Sequence, residues 1–161
     1  MFKVLFVCLG NICRSPTAHG VFLGKLKQTT MADGRSLVEL IEVDSAGTAA
    51  WHIGKAPDKR SQLAASNRGY DLSQLRARQV ADQDFEHYDY ILAMDQANLR
   101  DLQSRCPGQY QARLALFLDY AEGPELEVPD PYYGGDEGFD QVLDLIEAAS
   151  EGLISRLRNR C

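Results

Sequence analysis

Val4-Leu5-Phe6-Val7-Cys8-Leu9-Gly10-Asn11-Ile12-Cys13-Arg14-Ser15-Pro16 is the stretch on which the fold turns. Val4 to Val7 is a continuous apolar run, as expected of a strand buried on both faces. Ser15 is a helix-capping residue type, and Pro16 suits a first helical turn. Ala18, Val21, Phe22 and Leu26 then recur at helical spacing. The stretch reads as strand, short loop and helix. Such a joint aims backbone N–H groups and the positive helix end at one point, which is an anion site. Gly10 and Asn11 both tolerate the positive φ that a curled loop needs. Arg14 adds a planar fork that matches two phosphate oxygens. A cation at a helix N-terminus is electrostatically misplaced unless an anion joins it. Cys8 opens the loop, so its sulfur would lie beneath a bound phosphorus, and all these groups favour the thiolate. A bare Cys-x5-Arg spacing is a weak signal. Its place after a buried strand, with Gly-Asn inside and Ser-Pro behind, gives it weight.

Outward from this stretch, strands and helices alternate. Residues 29–37 are polar and read as a loop. Leu40 to Val43 reads as a second strand, running into Asp44-Ser45-Ala46-Gly47. Pro57 and Asp58 open a helix that stops near Gly69. A short helical turn is expected at Asp82 to Phe85, and a third strand at Tyr90 to Ala93. Asp95 caps a helix bearing Leu99 and Leu102, which stops before Pro107. Leu114 to Leu118 reads as a fourth strand, and Glu122 to Gly138 as a loop rich in Pro, Gly and acid. The last helix carries Phe139, Val142, Leu143, Ile146, Ala149, Leu153 and Leu157 on one face. The expected class is α/β, one domain over 1–161, with a parallel sheet and helices on both faces. Ligands in such folds bind beyond the carboxyl ends of the strands, where Cys8 lies.

Composition bounds the function. The 161 residues are 45% hydrophobic and 25% charged, ordinary for one globular domain. A net charge of −6 disfavours nucleic acid and anionic membranes as partners, so a basic anion pocket must be local. The apolar runs are too short to span a bilayer or to form a signal-peptide core, and a cytoplasmic location is expected. Four cysteines, Cys8, Cys13, Cys106 and Cys161, are too few for a disulfide scaffold. Cys106 and Cys161 read as incidental.

A thiolate that attacks a phosphate ester must expel an alkoxide or phenoxide. A positioned acid assists by a factor of ~10²–10⁴. His19, His52 and His87 stand in segments with no visible return to the loop. Asp130, in Asp130-Pro131-Tyr132-Tyr133-Gly134, follows the fourth strand and emerges at the sheet edge of Cys8. Pro129 and Pro131 stiffen its backbone. The acidic neighbourhood, from Glu122 to Asp140, favours a protonated carboxyl.

These motifs resemble, from end to end, the low-molecular-weight protein tyrosine phosphatase family. The carriers are CLGNICRS at Cys8–Ser15, DSAGT at Asp44–Thr48, the strand region Tyr88–Asp95 and DPYYG at Asp130–Gly134. The resemblance implies a four-stranded parallel sheet in the order 2-1-3-4. It implies hydrolysis of phosphotyrosine and aryl phosphates through a phosphocysteine intermediate, with no cofactor and no metal. Cys8 would be the nucleophile, Arg14 the phosphate clamp and Asp130 the acid and then base. Ser15 would donate a hydrogen bond to the sulfur. Leu9, Gly10, Asn11, Ile12 and Cys13 would line the phosphate, and Asn11 would support the loop by bridging toward Ser45. Trp51 and Tyr132 would wall the substrate ring. Cys8 and Cys13 would form a protective disulfide under peroxide. The implied partner is a phosphotyrosine-containing protein, a tyrosine kinase among the candidates, and the chain a monomer or weak homodimer.

One position departs from the family pattern. Many relatives have a histidine after the segment matching Asp71-Leu72-Ser73, bonded into the Asn–Ser network, where this chain has Leu75. Leucine cannot make that bond. Either Gln74 substitutes or the loop is held less firmly. Among rival chemistries, arsenate reduction needs a relay cysteine near residues 75–95, and none is there. Phosphoarginine phosphatases carry threonine where this chain has the apolar Ile12. A catalytically dead phosphate-binding module would be expected to lack Cys8 or Asp130.

Overall fold

The computed structural model describes residues 1–131 and 135–160. The order is β1 (Phe2–Cys8), α1 (Arg14–Lys27), β2 (Ile41–Gly47), α2 (Lys59–Ser66), α3 (Asp82–His87), β3 (Tyr90–Ala93), α4 (Gln96–Arg105), β4 (Leu114–Leu116) and α5 (Asp136–Arg158). The four strands form one parallel sheet in the order β2-β1-β3-β4. The expected architecture is therefore the observed one. β1 pairs along its whole length with β2, Phe2 opposite Ile41 and Cys8 opposite Gly47, and on its other edge with β3.

β1 is apolar at successive positions because both of its faces are covered. Val4, Phe6 and Cys8 point into a core shared with α1 and α5, and Leu5 and Val7 into a smaller one with α3 and α4. Phe6 centres the larger core, packed edge-on against Phe22 and Phe117 with ring centroids 5.5 and 4.8 Å away. Asp58 caps α2 by accepting from the Arg60 and Ser61 N–H groups, and Asp95 caps α4 by accepting from Asn98 N.

Two sequence expectations need correction. α1 begins at Arg14 with Cys13 at its N-cap, so Ser15 is helical and its hydroxyl is free for other work. The fourth strand ends at Leu116, and Phe117 and Leu118 continue as a 3-10 turn. Both residues are buried, so the apolar run is real, but burial does not distinguish a strand from a turn.

That turn sets a constraint on α5. A Cβ placed on Gly152 would stand 1.8 Å from the Tyr120 carbonyl oxygen, which is backbone and cannot swing aside. Gly152→Ala should therefore lower stability by about 1–3 kcal/mol in urea unfolding, although alanine favours an open helix by ~1 kcal/mol. An unchanged or stabilised variant would show that the 3-10 turn yields.

His19 is on α1 and faces β2, 8% exposed, with Nδ1 3.2 Å from Ser45 Oγ. Burial lowers its pKa from the ordinary 6.5, and the charge of Asp44 offsets this only in part. The folded chain therefore binds fewer protons at this site than the unfolded chain. Stability should fall as pH drops below about 6.5 and through the lower folded value. His19→Gln should flatten that acid-side loss in denaturant midpoints measured from neutral to mildly acidic pH. An equally steep loss in the variant would place its cause elsewhere.

Candidate active site

Residues 8–15 curl around one point at the carboxyl end of β1. Three of their carbonyls are turned outward onto neighbouring segments. Cys8 O accepts from Thr48 N, Leu9 O from Ala49 N, and Ile12 O from Asp58 N, at 2.9, 2.9 and 2.8 Å. Of the two residues expected to supply positive φ, only Asn11 does so, at 57°. Gly10 is constrained by space instead, since a Cβ there would meet the His52 ring at 2.9 Å. Gly47 admits the loop for a similar reason, because its Cβ would stand 2.7 Å from Leu9 O.

Asn11 holds the curl from three sides. Its N–H points at Cys8 Sγ at 3.3 Å. Its side-chain amide donates to Ser15 Oγ at 2.7 Å. Its side-chain carbonyl accepts from Arg78 N at 3.0 Å. The expected bridge to Ser45 is not made, since the Ser45 hydroxyl meets His19. Nor does Gln74 take the place of the family histidine. It is exposed, with its amide turned to Ser73 Oγ, while Leu75 packs against the core. The outside support is the Arg78 backbone. That segment is anchored by Gly47 N donating to Arg78 O, and the Arg78 guanidinium clamps Asp44 and Asp84 at 3.0 and 2.8 Å.

Ser15 Oγ lies 3.0 Å from Cys8 Sγ and 3.4 Å from Ala46 O. Since it already accepts from Asn11, its one proton is left for the sulfur or the carbonyl, and the sulfur is nearer. Arg14 is 4% exposed. Its Nη1 donates to Asp95 Oδ2 at 2.7 Å and to Val128 O at 3.0 Å. Burial by itself would lower its pKa, but the electrostatic interaction with Cys8 and the bond to Asp95 outweigh this and raise it. Cys13 is also buried, and burial pushes its thiol up to about 12.

The acid loop reaches the same place. Val128 N donates to Met94 O at 2.7 Å, which docks the loop at the end of β3. Two residues on, Asp130 Oδ2 is 3.9 Å from Arg14 Nη2, with the side chain 43% exposed. Cys8, Leu9, Gly10, Ile12, Cys13, Arg14, Trp51, His52 and Asp130 line one cleft of about 300 Å³. Tyr132, expected as the second aromatic wall, lies outside the described residues. Trp51 is 69% exposed, a rim rather than a core residue. His52 reaches the cleft although its segment carried no visible sign of doing so. Asp95 was legible only as a helix cap, and its second oxygen on Arg14 was not.

The arrangement resembles known proteins over its whole length. The model of the low molecular weight phosphotyrosine protein phosphatase family matches residues 3–161. A low molecular weight protein-tyrosine-phosphatase of Bacillus subtilis, YfkJ, is 40% identical over 98% of this chain and 97% of its own. The human low molecular weight phosphotyrosine protein phosphatase is 42% identical over 87% and 85%. Among solved structures, a protein tyrosine phosphatase of Entamoeba histolytica superimposes with a TM-score of 0.91 at 42% identity, covering 99% of both chains. Vibrio vulnificus Wzb in complex with benzylphosphonate gives 0.81 at 30% identity over 96% and 98%. With the loop, the guanidinium and the acid gathered in one cleft, this chain belongs to the low molecular weight phosphotyrosine protein phosphatase family.

Proposed function

We propose that this protein tyrosine phosphatase hydrolyses phosphotyrosine in proteins by a double displacement centred on Cys8. The thiolate attacks phosphorus in line with the ester oxygen. The S–P bond forms as the P–O bond to the tyrosine breaks, and Asp130 gives its proton to the departing phenolic oxygen. Asp130, now a carboxylate, takes a proton from water as that water attacks the phosphocysteine. The S–P bond breaks, inorganic phosphate leaves and the thiolate returns. Arg14 and N–H groups of the loop 9–15 hold the equatorial oxygens throughout. Asp95 and Val128 O aim the guanidinium, and Ser15 donates to the departing sulfur.

The observation that carries the reading is the convergence of Cys8, Arg14 and Asp130 on one cleft, from segments far apart in the chain. The aromatic Trp51 at its rim and the apolar Ile12 in its wall suit an aryl ester. The benzylphosphonate held by the Vibrio relative is a ligand of that shape. A reducing cytoplasm suits the chemistry, which needs Cys8 as a free thiol. Cys13, held as a thiol by burial, would act only after peroxide had oxidised Cys8 to the sulfenic acid, condensing with it to a disulfide and water. A tyrosine kinase is one fitting protein substrate, and a monomer or weak homodimer would leave the cleft open to it.

Cys8→Ser should abolish turnover while phosphate still binds, as read by calorimetry. Asp130→Ala should slow a phosphotyrosine peptide by a factor of ~10²–10⁴. It should slow p-nitrophenyl phosphate much less, because the better leaving group needs less protonation. Equal losses on both substrates would remove Asp130 from the role of acid.

A further inference from the structure

A second recess adjoins the cleft. Leu9, Arg14, Trp51 and Asp130 form the wall the two share. From there an open trough of about 660 Å³ runs between residues 48–51 and α4, whose side presents Asp95, Asn98, Asp101 and Arg105. An aryl phosphate needs only the cleft. A protein substrate does not end at its tyrosine, and its flanking chain must leave the mouth across an adjoining surface.

Two independent observations describe what suits this trough. The first is charge. Carboxylates of Asp95 and Asp101 line it, and Glu127 stands beside it, accepting from Gln96 N at 2.6 Å. Against them are two guanidiniums, both engaged. Arg14 holds Asp95, and Arg105 holds Asp101 at 3.2 Å and Thr48 O at 2.9 Å. A bound phosphate dianion adds negative charge at Arg14, so the occupied site repels acid and attracts a cation. The second is an unmatched acceptor. Asn98 lines the trough at 4% exposure, and its Oδ1 has no hydrogen-bond partner among the described residues. A buried acceptor of this kind calls for a donor.

We infer that the trough is a substrate subsite. It takes the polypeptide segment flanking the phosphotyrosine and favours lysine or arginine there, with Asp101 as the specificity-determining residue. This rests on the phosphatase chemistry of the adjoining cleft. Asp101 is 41% exposed, so the preference is that of a partly solvated ion pair, about two- to fivefold in kcat/KM. It weakens as salt rises.

The test is a set of phosphotyrosine peptides identical except for lysine or glutamate at successive positions on each side of the tyrosine. p-Nitrophenyl phosphate serves as a substrate confined to the cleft. Wild-type enzyme should favour lysine on one side of the tyrosine by about two- to fivefold at low salt, and lose the preference at high salt. In Asp101→Asn the lysine-to-glutamate ratio should approach one. Equal rates across the wild-type set, a preference for glutamate, or a ratio unchanged in the variant would overturn the subsite. Failure of wild-type enzyme to turn over p-nitrophenyl phosphate would instead overturn the cleft chemistry, and the subsite with it.

Discussion

The site depends on one residue, Asn11, held in a left-handed conformation and bonded on three sides. A non-glycine residue there carries a conformational cost, and asparagine bears it better than most because its side chain bonds locally. Here that side chain reaches both ends of the catalytic loop's support, Ser15 in α1 and the Arg78 backbone beside β2. With the turn fixed, the N–H of Asn11 faces the sulfur and Ser15 Oγ stands 3.0 Å from it. The sulfur therefore meets oriented dipoles that need not reorganise when charge develops. Preorganisation of this kind accounts for much of the rate enhancement of many enzymes.

The second requirement, for the proposed chemistry, is that Asp130 and Arg14 share a frame. Val128 supplies it. Its N–H extends the end of β3 through Met94 O, and its carbonyl receives the Arg14 guanidinium. The guanidinium is thus positioned by the loop that bears Asp130 and by the cap of α4 at once. Asp95 shows the same economy, with one oxygen on Asn98 N and the other on Arg14.

Much of this was legible in the sequence. The run Val4–Val7 with Cys8 behind it places the loop at a sheet edge, because a strand covered on both faces is apolar at successive positions. Asp58 and Asp95 announce their helices through short-range capping chemistry. What escaped was long-range. Nothing near residue 78 marks its N–H as the partner of Asn11, and nothing near His52 shows that its ring lies over Gly10. Leu75 pointed to a weakened loop only because the support was sought in a side chain, whereas a backbone N–H supplies it. Ser15 looked like a cap because serine favours that position, but its hydroxyl lies 3.0 Å from the Cys8 sulfur instead. The local propensity was overridden at the point where chemistry made a competing demand.

The central claim is that the phosphoryl group passes through Cys8 sulfur. Acid-quenched enzyme, stopped within a single turnover of a phosphotyrosine peptide and mapped by mass spectrometry, tests this most directly. Nucleophilic attack by Cys8 requires one phosphoryl group on the peptide containing that residue, appearing with the released tyrosine and decaying as phosphate forms. A phosphoryl group on any other residue, or phosphate formed in step with tyrosine and no adduct at any time, would contradict it.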